Sequence, residues 1–259
     1  MGAYSQGLSR HFNKNDAVLN SYRAFCDSFS LVKAYSALSG HAIVKAAELE
    51  HEAYKLRYHA YCQEHSYEQT NKYGIERDVY DSFSAMLLVQ HKATQTYLGT
   101  VRLIPFTTPL LPLPVTQVCD DLVPQYNIST DRYAEISRLS VSYTRMEEAQ
   151  LTRQEMSLVL PGLLAGVLNI SRDIGTTHLV GAMSPTLLRK INRSYGVELG
   201  WVGCDVDYHG RRVPFIGAVD MVEVSIKKRR GLLRKIVNMD DGAEVNHVNK
   251  QALPRGYGL

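Results

Sequence analysis

Three carboxylates, Glu76, Asp78 and Asp81, stand within six positions of the segment YGIERDVYDSFS (73–84), directly ahead of an apolar run that reads as a strand. Ionised acids at the entry to a sheet can pair with buried arginines, orient a cationic substrate or accept a proton. The next apolar strand, GTVRLI, carries Arg102, and an unpaired guanidinium there would be costly to desolvate. Its partner is expected among the three acids. EISRL adds Glu135 and Arg138, whose spacing of three sends them to opposite faces of an unbroken strand unless a bulge intervenes. Arg57 and Tyr61 lie one turn apart on an earlier helix. Each cluster alone reads as a solvated helix face or a polar loop. Together they read as a buried charge network, which shifts pKa values and holds polar substrates, and so points to a site more than to stability.

The elements that must position these residues follow from periodicity. AVLNSYRAFCDSFSLVKAYSAL spaces its apolar residues as an amphipathic helix closed by Ser39 and Gly40, and HAIVKA reads as a short strand. Leu49, Ala53, Leu56 and Ala60 give a helix from Glu48 to about Glu64. SAMLLVQHK and QTYLGTVRLIPFT form an antiparallel hairpin that the following prolines end, and YAEISRLSVSY is a further strand. LTRQEMSLVLPGLLAGVLNISRDIG is a long apolar helix with Pro161 inside and Gly175 as its stop. THLVGAMSP is a buried strand, TLLRKINRSYG a short helix, and VELGWVGCDVDYHGRRVPFIGAVDMVEV a hairpin turning at His209 and Gly210. The order predicts an α/β fold, a mixed sheet with helices on its faces. It divides into a helical extension (1–40), one core domain (41–226) and a basic tail (227–259).

Composition narrows the classes. With 259 residues, 45% hydrophobic and 21% charged, the chain can bury a large core. A net charge of +3 is too small to argue for nucleic acid, although KKRRGLLRK (227–235) holds six basic residues in nine. Four dispersed cysteines lack metal-ligand spacing, so reduced thiols and no metal are expected. No signal peptide and no run of about 18 apolar residues is visible, which predicts a cytoplasmic protein without a membrane span.

Arg57 with Tyr61, Glu76 with Asp78, Tyr80 and Asp81, Arg102 in GTVRL, and Glu135 with Arg138 in EISRL resemble, in order and spacing, the signature of the autoinducer-synthase branch of GNAT-fold acyltransferases. That branch holds acyl-homoserine-lactone synthases, N-acyl amino acid synthases and acyltransferases associated with the PEP-CTERM/exosortase system. The first group typically ends this helix with a tryptophan that helps bind S-adenosylmethionine, whereas the only tryptophan here is Trp201. LRYHAYCQE, PLPVTQVC and EISRLSVS are more similar to the other two groups.

The resemblance implies that AEISRLSVS and THLVGAMSP are parallel strands that splay to admit the donor's pantetheine arm. Glu76, Asp78, Asp81, Arg102, Glu135 and Arg138 would be catalytic, one of the acids serving as general base. Arg57, Tyr61, Leu139, Ser140, Val141 and Ser142 would line the substrates, with backbone amides near Ser140 to Ser142 holding the oxyanion. The connection YTRMEEAQLTRQEM has no glycine and two glutamates, which suits acyl carrier protein better than coenzyme A as donor. Lys227, Lys228, Arg229, Arg230, Arg234 and Lys235, with Arg189, Lys190 and Arg193, could steer that acidic partner. No bound cofactor is expected beyond the acyl phosphopantetheine thioester. Gly162, Ala165 and Gly166 could open an acyl tunnel or pack a helix closely on the sheet. The leading expectation is an N-acyltransferase acting on an amino acid or related amine. The alternatives are a homoserine-lactone synthase and a non-catalytic module that binds carrier protein or lipid.

Overall fold

Met86, Leu87, Leu88 and Val89 are consecutive and all buried, because the sheet is covered on both faces. The structure, a computed structural model, describes residues 14–35, 43–106, 112–119, 122, 132–208, 210–229 and 231–238. Its helices are α1 (Lys14–Ser28), α2 (Ile43–Tyr58), α3 (Tyr143–Glu148), α4 (Arg153–Ile174), α5 (Pro185–Lys190), α6 (Val219–Lys228) and α7 (Leu232–Val237). Its strands are β1 (Phe29–Tyr35), β2 (Ala85–His91), β3 (Tyr97–Pro105), β4 (Tyr133–Val141), β5 (His178–Met183), β6 (Gly200–Trp201), β7 (Val206–Asp207) and β8 (Arg211–Ala218). They form a mixed sheet in the order β1, β2, β3, β4, β5, β8, β6, with β7 paired to β8. Leu87 and Val89 face the main core beneath α4, while Met86 and Leu88 pack on Ala53 of α2. The predicted α/β class and the hairpin of β2 and β3 are both present.

The helix α4 has the strongest local specification. Thr152 and Glu155 make a reciprocal capping box at its start, and Gly175 ends it at φ 69°. Its two glycines answer the question of a tunnel in favour of close packing. A methyl on Gly166 would lie 1.9 Å from a Leu87 methyl carbon, and one on Gly162 would lie 2.8 Å from the Phe25 ring. Gly166→Ala is therefore expected to lower stability by about 1–2 kcal/mol, overpacking outweighing the better helix propensity. A fall of roughly 3–8 °C in the thermal midpoint would register it.

Four sequence expectations are corrected. The first helix stops at Ser28, and FSLVKAY is instead strand β1, whose full-length antiparallel pairing covers the edge of β2. Lys33 on that strand is buried against Asp173 at 2.7 Å. HAIVKA is not a strand, since helix α2 is already under way at Ile43. VDMVEV does not continue the hairpin but begins α6, with Val219, Val222 and Ile226 buried at helical spacing. Nor is the basic run a loose tail: it closes α6 and enters α7, whose Leu233, Ile236 and Val237 are buried and which packs on α4 and α1.

The strands β4 and β5 run parallel and pair only through Tyr133–Glu135 and His178–Val180. Beyond that row they separate. Gly181 stands at the divergence, where a Cβ would come within 2.8 Å of the Ile136 carbonyl oxygen. The opening of the sheet is thus bounded by Glu135 on one side and a glycine on the other.

Candidate active site

The acidic segment folds on itself before it meets any arginine. Asp78 caps a short 3₁₀ turn, Val79–Phe83, by accepting from the Tyr80 amide at 2.9 Å, and Asp81 accepts from the Asp78 amide at 2.7 Å. This reciprocal cap uses one oxygen of each carboxylate and fixes where the remaining lone pairs point. Arg102, 1% exposed on β3, donates to Asp78 through both terminal nitrogens at 2.6 and 2.9 Å, to Asp81 at 2.6 Å and to the Ser137 hydroxyl at 3.0 Å. Arg57, at the end of α2, pairs with Asp81 at 2.7 Å and with Glu76. Arg138 reaches Glu76 at 3.0 Å and Asp78 at 3.3 Å. The partner expected for Arg102 is present in duplicate.

The spacing problem between Glu135 and Arg138 is solved by a bulge. Register runs from Arg102 opposite Ser137 to Thr100 opposite Ser140, so Val101 faces both Arg138 and Leu139. Arg138 takes φ 50°, an uncommon conformation for a residue with a side chain, held in place by Glu76, Asp78 and, at 3.8 Å, Glu68. The extra residue keeps Arg138 on the face shared with Glu135.

Charge bookkeeping separates Glu135 from the other acids. Arg57, Arg102 and Arg138 are paired by Glu76, Asp78 and Asp81, with Glu68 a longer contact to Arg138 at 3.8 Å, whereas Glu135 makes no ion pair with any of the three. It is 5% exposed and accepts the Val115 amide at 2.8 Å. Burial raises its pKa to about 8, and that one backbone bond and the more distant arginines offset little of the effect. Burial also pushes Glu76 and Asp78 upward, but the arginine contacts outweigh it and hold both below the ordinary carboxylate range. Glu76 and Asp78 are thus held as anions by the arginines, whereas Glu135 is poised to exchange a proton near neutrality.

These groups open onto a cavity of about 580 Å³ lined by Tyr61, Arg102, Glu135, Arg138, Ser140 and Arg212, among others. The Tyr61 hydroxyl donates to the Leu139 carbonyl at 3.3 Å, and its ring lies 5.6 Å from the Arg138 guanidinium carbon. The Ser142 amide is engaged with the Leu98 carbonyl at 3.0 Å. By the alternation of an antiparallel ladder, Ser140 also faces β3, whereas Val141 turns its backbone groups towards the gap beside β5. The amide donors expected from Ser140 to Ser142 thus narrow to Val141. The buried Ser140 hydroxyl has no hydrogen-bond partner among the described residues.

The structure also supplies residues that sequence spacing did not single out. Glu64 accepts from the Ser142 hydroxyl at 2.7 Å and from the Thr144 amide at 3.4 Å, so a carboxylate sits at the start of α3. Ser137 steadies Arg102, and Arg212 reaches the cavity from β8. Parity was the available signal for Arg212: Arg212, Pro214 and Ile216 share a strand face. Among the proposed docking residues, Lys227 pairs with Glu223 at 3.5 Å, Arg229 donates to the Arg193 carbonyl and Lys235 lies 5.7 Å from the centre of the Tyr22 ring. Lys228 and Arg234 are exposed, and Arg230 lies outside the described residues. All four cysteines are free thiols. Among the described residues, no cluster suited to a metal ion occurs. The helix α4 is long and apolar enough to cross a membrane, but most of it is buried in the core.

A mixed sheet with splayed parallel strands beside a buried acid and arginine network defines a GNAT-related acyltransferase. The Autoinducer synthase family profile matches residues 40–231, and the chain belongs to that family. Similar solved structures include TofI in a ternary complex with an inhibitor and MTA, at 18% identity and a TM-score of 0.56 over 77% of this chain and 96% of that one. BjaI, a CoA-dependent acyl-homoserine lactone synthase with SAM and isopentyl-CoA, stands at 17% identity and 0.56 over 77% and 89%. The AHL synthase LasI stands at 13% and 0.55 over 78% and 96%. At these identities the likeness is one of fold. No curated protein sequence gives a significant match.

Proposed function

We propose that the protein moves a fatty acyl group from a thioester held between β4 and β5 to the amine of an α-amino acid, with Glu135 as general base. The observation that carries this reading is Glu135 itself, a buried carboxylate at the edge of the splay that accepts one backbone amide and pairs with none of the three arginines. In the reaction Glu135 takes a proton from the acceptor's ammonium group, directly or through water. The freed amine attacks the thioester carbonyl and the C–N bond forms; as the adduct collapses the C–S bond breaks, and the second proton lost by the nitrogen ends on the departing thiolate. The Val141 amide is placed to stabilise the oxyanion. The paired carboxylates keep Arg138, and with it the bulge, in one arrangement while Glu135 changes charge.

In this reading the donor is acyl carrier protein and the compartment is the cytoplasm. Glu64 at the start of α3 sets negative charge where the diphosphate of coenzyme A would need amide donors, while a bare pantetheine arm avoids it. Glu64→Gln is expected to raise acyl-CoA use relative to acyl carrier protein by roughly tenfold, read as a ratio of kcat/KM values. Lys228 and Arg234, with Arg189, Lys190 and Arg193, are exposed charges available to dock the acidic carrier.

Two acceptors carry an α-amino acid head. Membership in the autoinducer synthase family favours S-adenosylmethionine. A free amino acid, as in the N-acyl amino acid synthases and the exosortase-associated resemblance, is favoured by the placement of Trp201, which is 51% exposed on β6 and absent from a cavity walled by Tyr61, Tyr67 and Tyr208. Purified protein supplied with acyl carrier protein thioester and each acceptor, followed by mass spectrometry, separates them. Methylthioadenosine release marks the first, and a simple acyl amino acid marks the second. An unchanged thioester with every amine would contradict the proposal.

A further inference from the structure

Arg57, Arg102 and Arg138 each pair with carboxylates, yet a fourth arginine faces the same cavity without one. The Arg212 guanidinium carbon lies 5.5 Å from the centre of the Tyr67 ring, and its Nη1 donates to the Arg211 carbonyl at 3.2 Å. No carboxylate among the described residues pairs with it, whereas its neighbour Arg211 is matched by Asp205. The aromatic stack and the backbone bond fix the plane of the fork while leaving donors open to the cavity.

Register places Arg212 on the acceptor's side of the sheet. Glu135 pairs with Val180, and Val180 pairs with Ile216, so these three form one row across β4, β5 and β8. Strand parity keeps Pro214 and Arg212 on the face of Ile216, with Arg212 about 13 Å further along towards the open end of the splay. Glu135 and Arg212 line the same cavity, so an acceptor bound there can meet Glu135 at its amine and Arg212 at its carboxylate.

We infer that Arg212, stacked on Tyr67, is the acceptor's carboxylate-binding residue and selects α-amino acids over amines that lack the carboxylate. This inference rests on the amine-acylation reading and adds the group that orients the acceptor. Protonation at Glu135 and charge pairing at Arg212 then grip opposite ends of one head group, so the amine meets the thioester in a single pose. An Arg–carboxylate contact of this kind discriminates by roughly 10- to 100-fold.

The test compares each acceptor with its carboxamide in wild-type protein, Arg212→Ala and Arg212→Lys. The wild type should prefer the acid by roughly 10- to 100-fold in kcat/KM. In Arg212→Ala the preference should collapse towards unity as the acceptor KM rises, and in Arg212→Lys it should return in part. A preference kept intact in Arg212→Ala, or absent from the wild type, overturns the assignment while leaving acyl transfer standing. If no amine is acylated, the catalytic reading falls by itself and Arg212 is judged by thermal shift. S-adenosylmethionine should then stabilise the wild type more than its decarboxylated form, with the difference lost in Arg212→Ala; equal shifts overturn it.

Discussion

Glu135→Gln is expected to lower kcat/KM for acyl transfer by roughly 100- to 10,000-fold, the range that a positioned general base supplies. The amide matches the protonated carboxyl in shape, so the fold should survive. The sign of the pH effect follows from the raised pKa. Between about 4.5 and 8 the unfolded chain has lost the Glu135 proton while the folded protein keeps it. Stability from this group is therefore present at acid pH and declines as pH rises through that interval. Glu135→Gln should match the wild type in thermal midpoint near pH 5 and exceed it near pH 9. Activity runs the other way, because only the ionised carboxylate accepts a proton. The wild-type rate should climb between pH 6 and 9 more steeply than that of Glu135→Gln, in which the acceptor amine alone titrates. Equal rates for the two proteins across that range would remove Glu135 from the chemistry.

Arg102→Ala is expected to destabilise the fold by about 3–5 kcal/mol, because Asp78 and Asp81 would lose their shared guanidinium in a buried site with only Arg57 and Arg138 left to pair with them. The thermal midpoint should fall by roughly 10 °C. Lysine should restore little, since a point charge cannot replace a fork that contacts Asp78, Asp81 and Ser137 together. Asp81→Asn breaks the same set from the acid side and frees Arg57 and Arg102. Loss of acyl transfer should accompany both changes, measured well below the variants' melting temperatures. Full activity in a folded Arg102→Ala protein would separate the network from the site.

The sequence shows the network more clearly than its hierarchy. Arg102 within an apolar strand demanded a carboxylate, and the acids just ahead of β2 were the nearest supply. The difference among those carboxylates was not legible, because it depends on tertiary partners. Glu135 meets the Val115 amide from a turn 20 residues earlier, while the register shift at Arg138 decides which side chains share its face. The DVYD capping box was readable from spacing but was overshadowed by the same residues' charge. Errors in the fold have the same origin. FSLVKAY has helix-compatible apolar spacing but lies where β2 needs an edge partner, and VDMVEV alternates like a strand yet buries a helical stripe. Local pattern named the elements correctly where both faces are buried, as in β2 and α4, and failed at the periphery where packing decides.

The most direct measurement is the product formed from acyl carrier protein thioester and an α-amino acid acceptor by wild type and Glu135→Gln side by side, resolved by mass spectrometry. The structure predicts an amide on the acceptor's α-nitrogen in the wild type and at most about one part in a hundred of it in the variant. Free fatty acid with no amide, or equal amide from both proteins, would contradict the account.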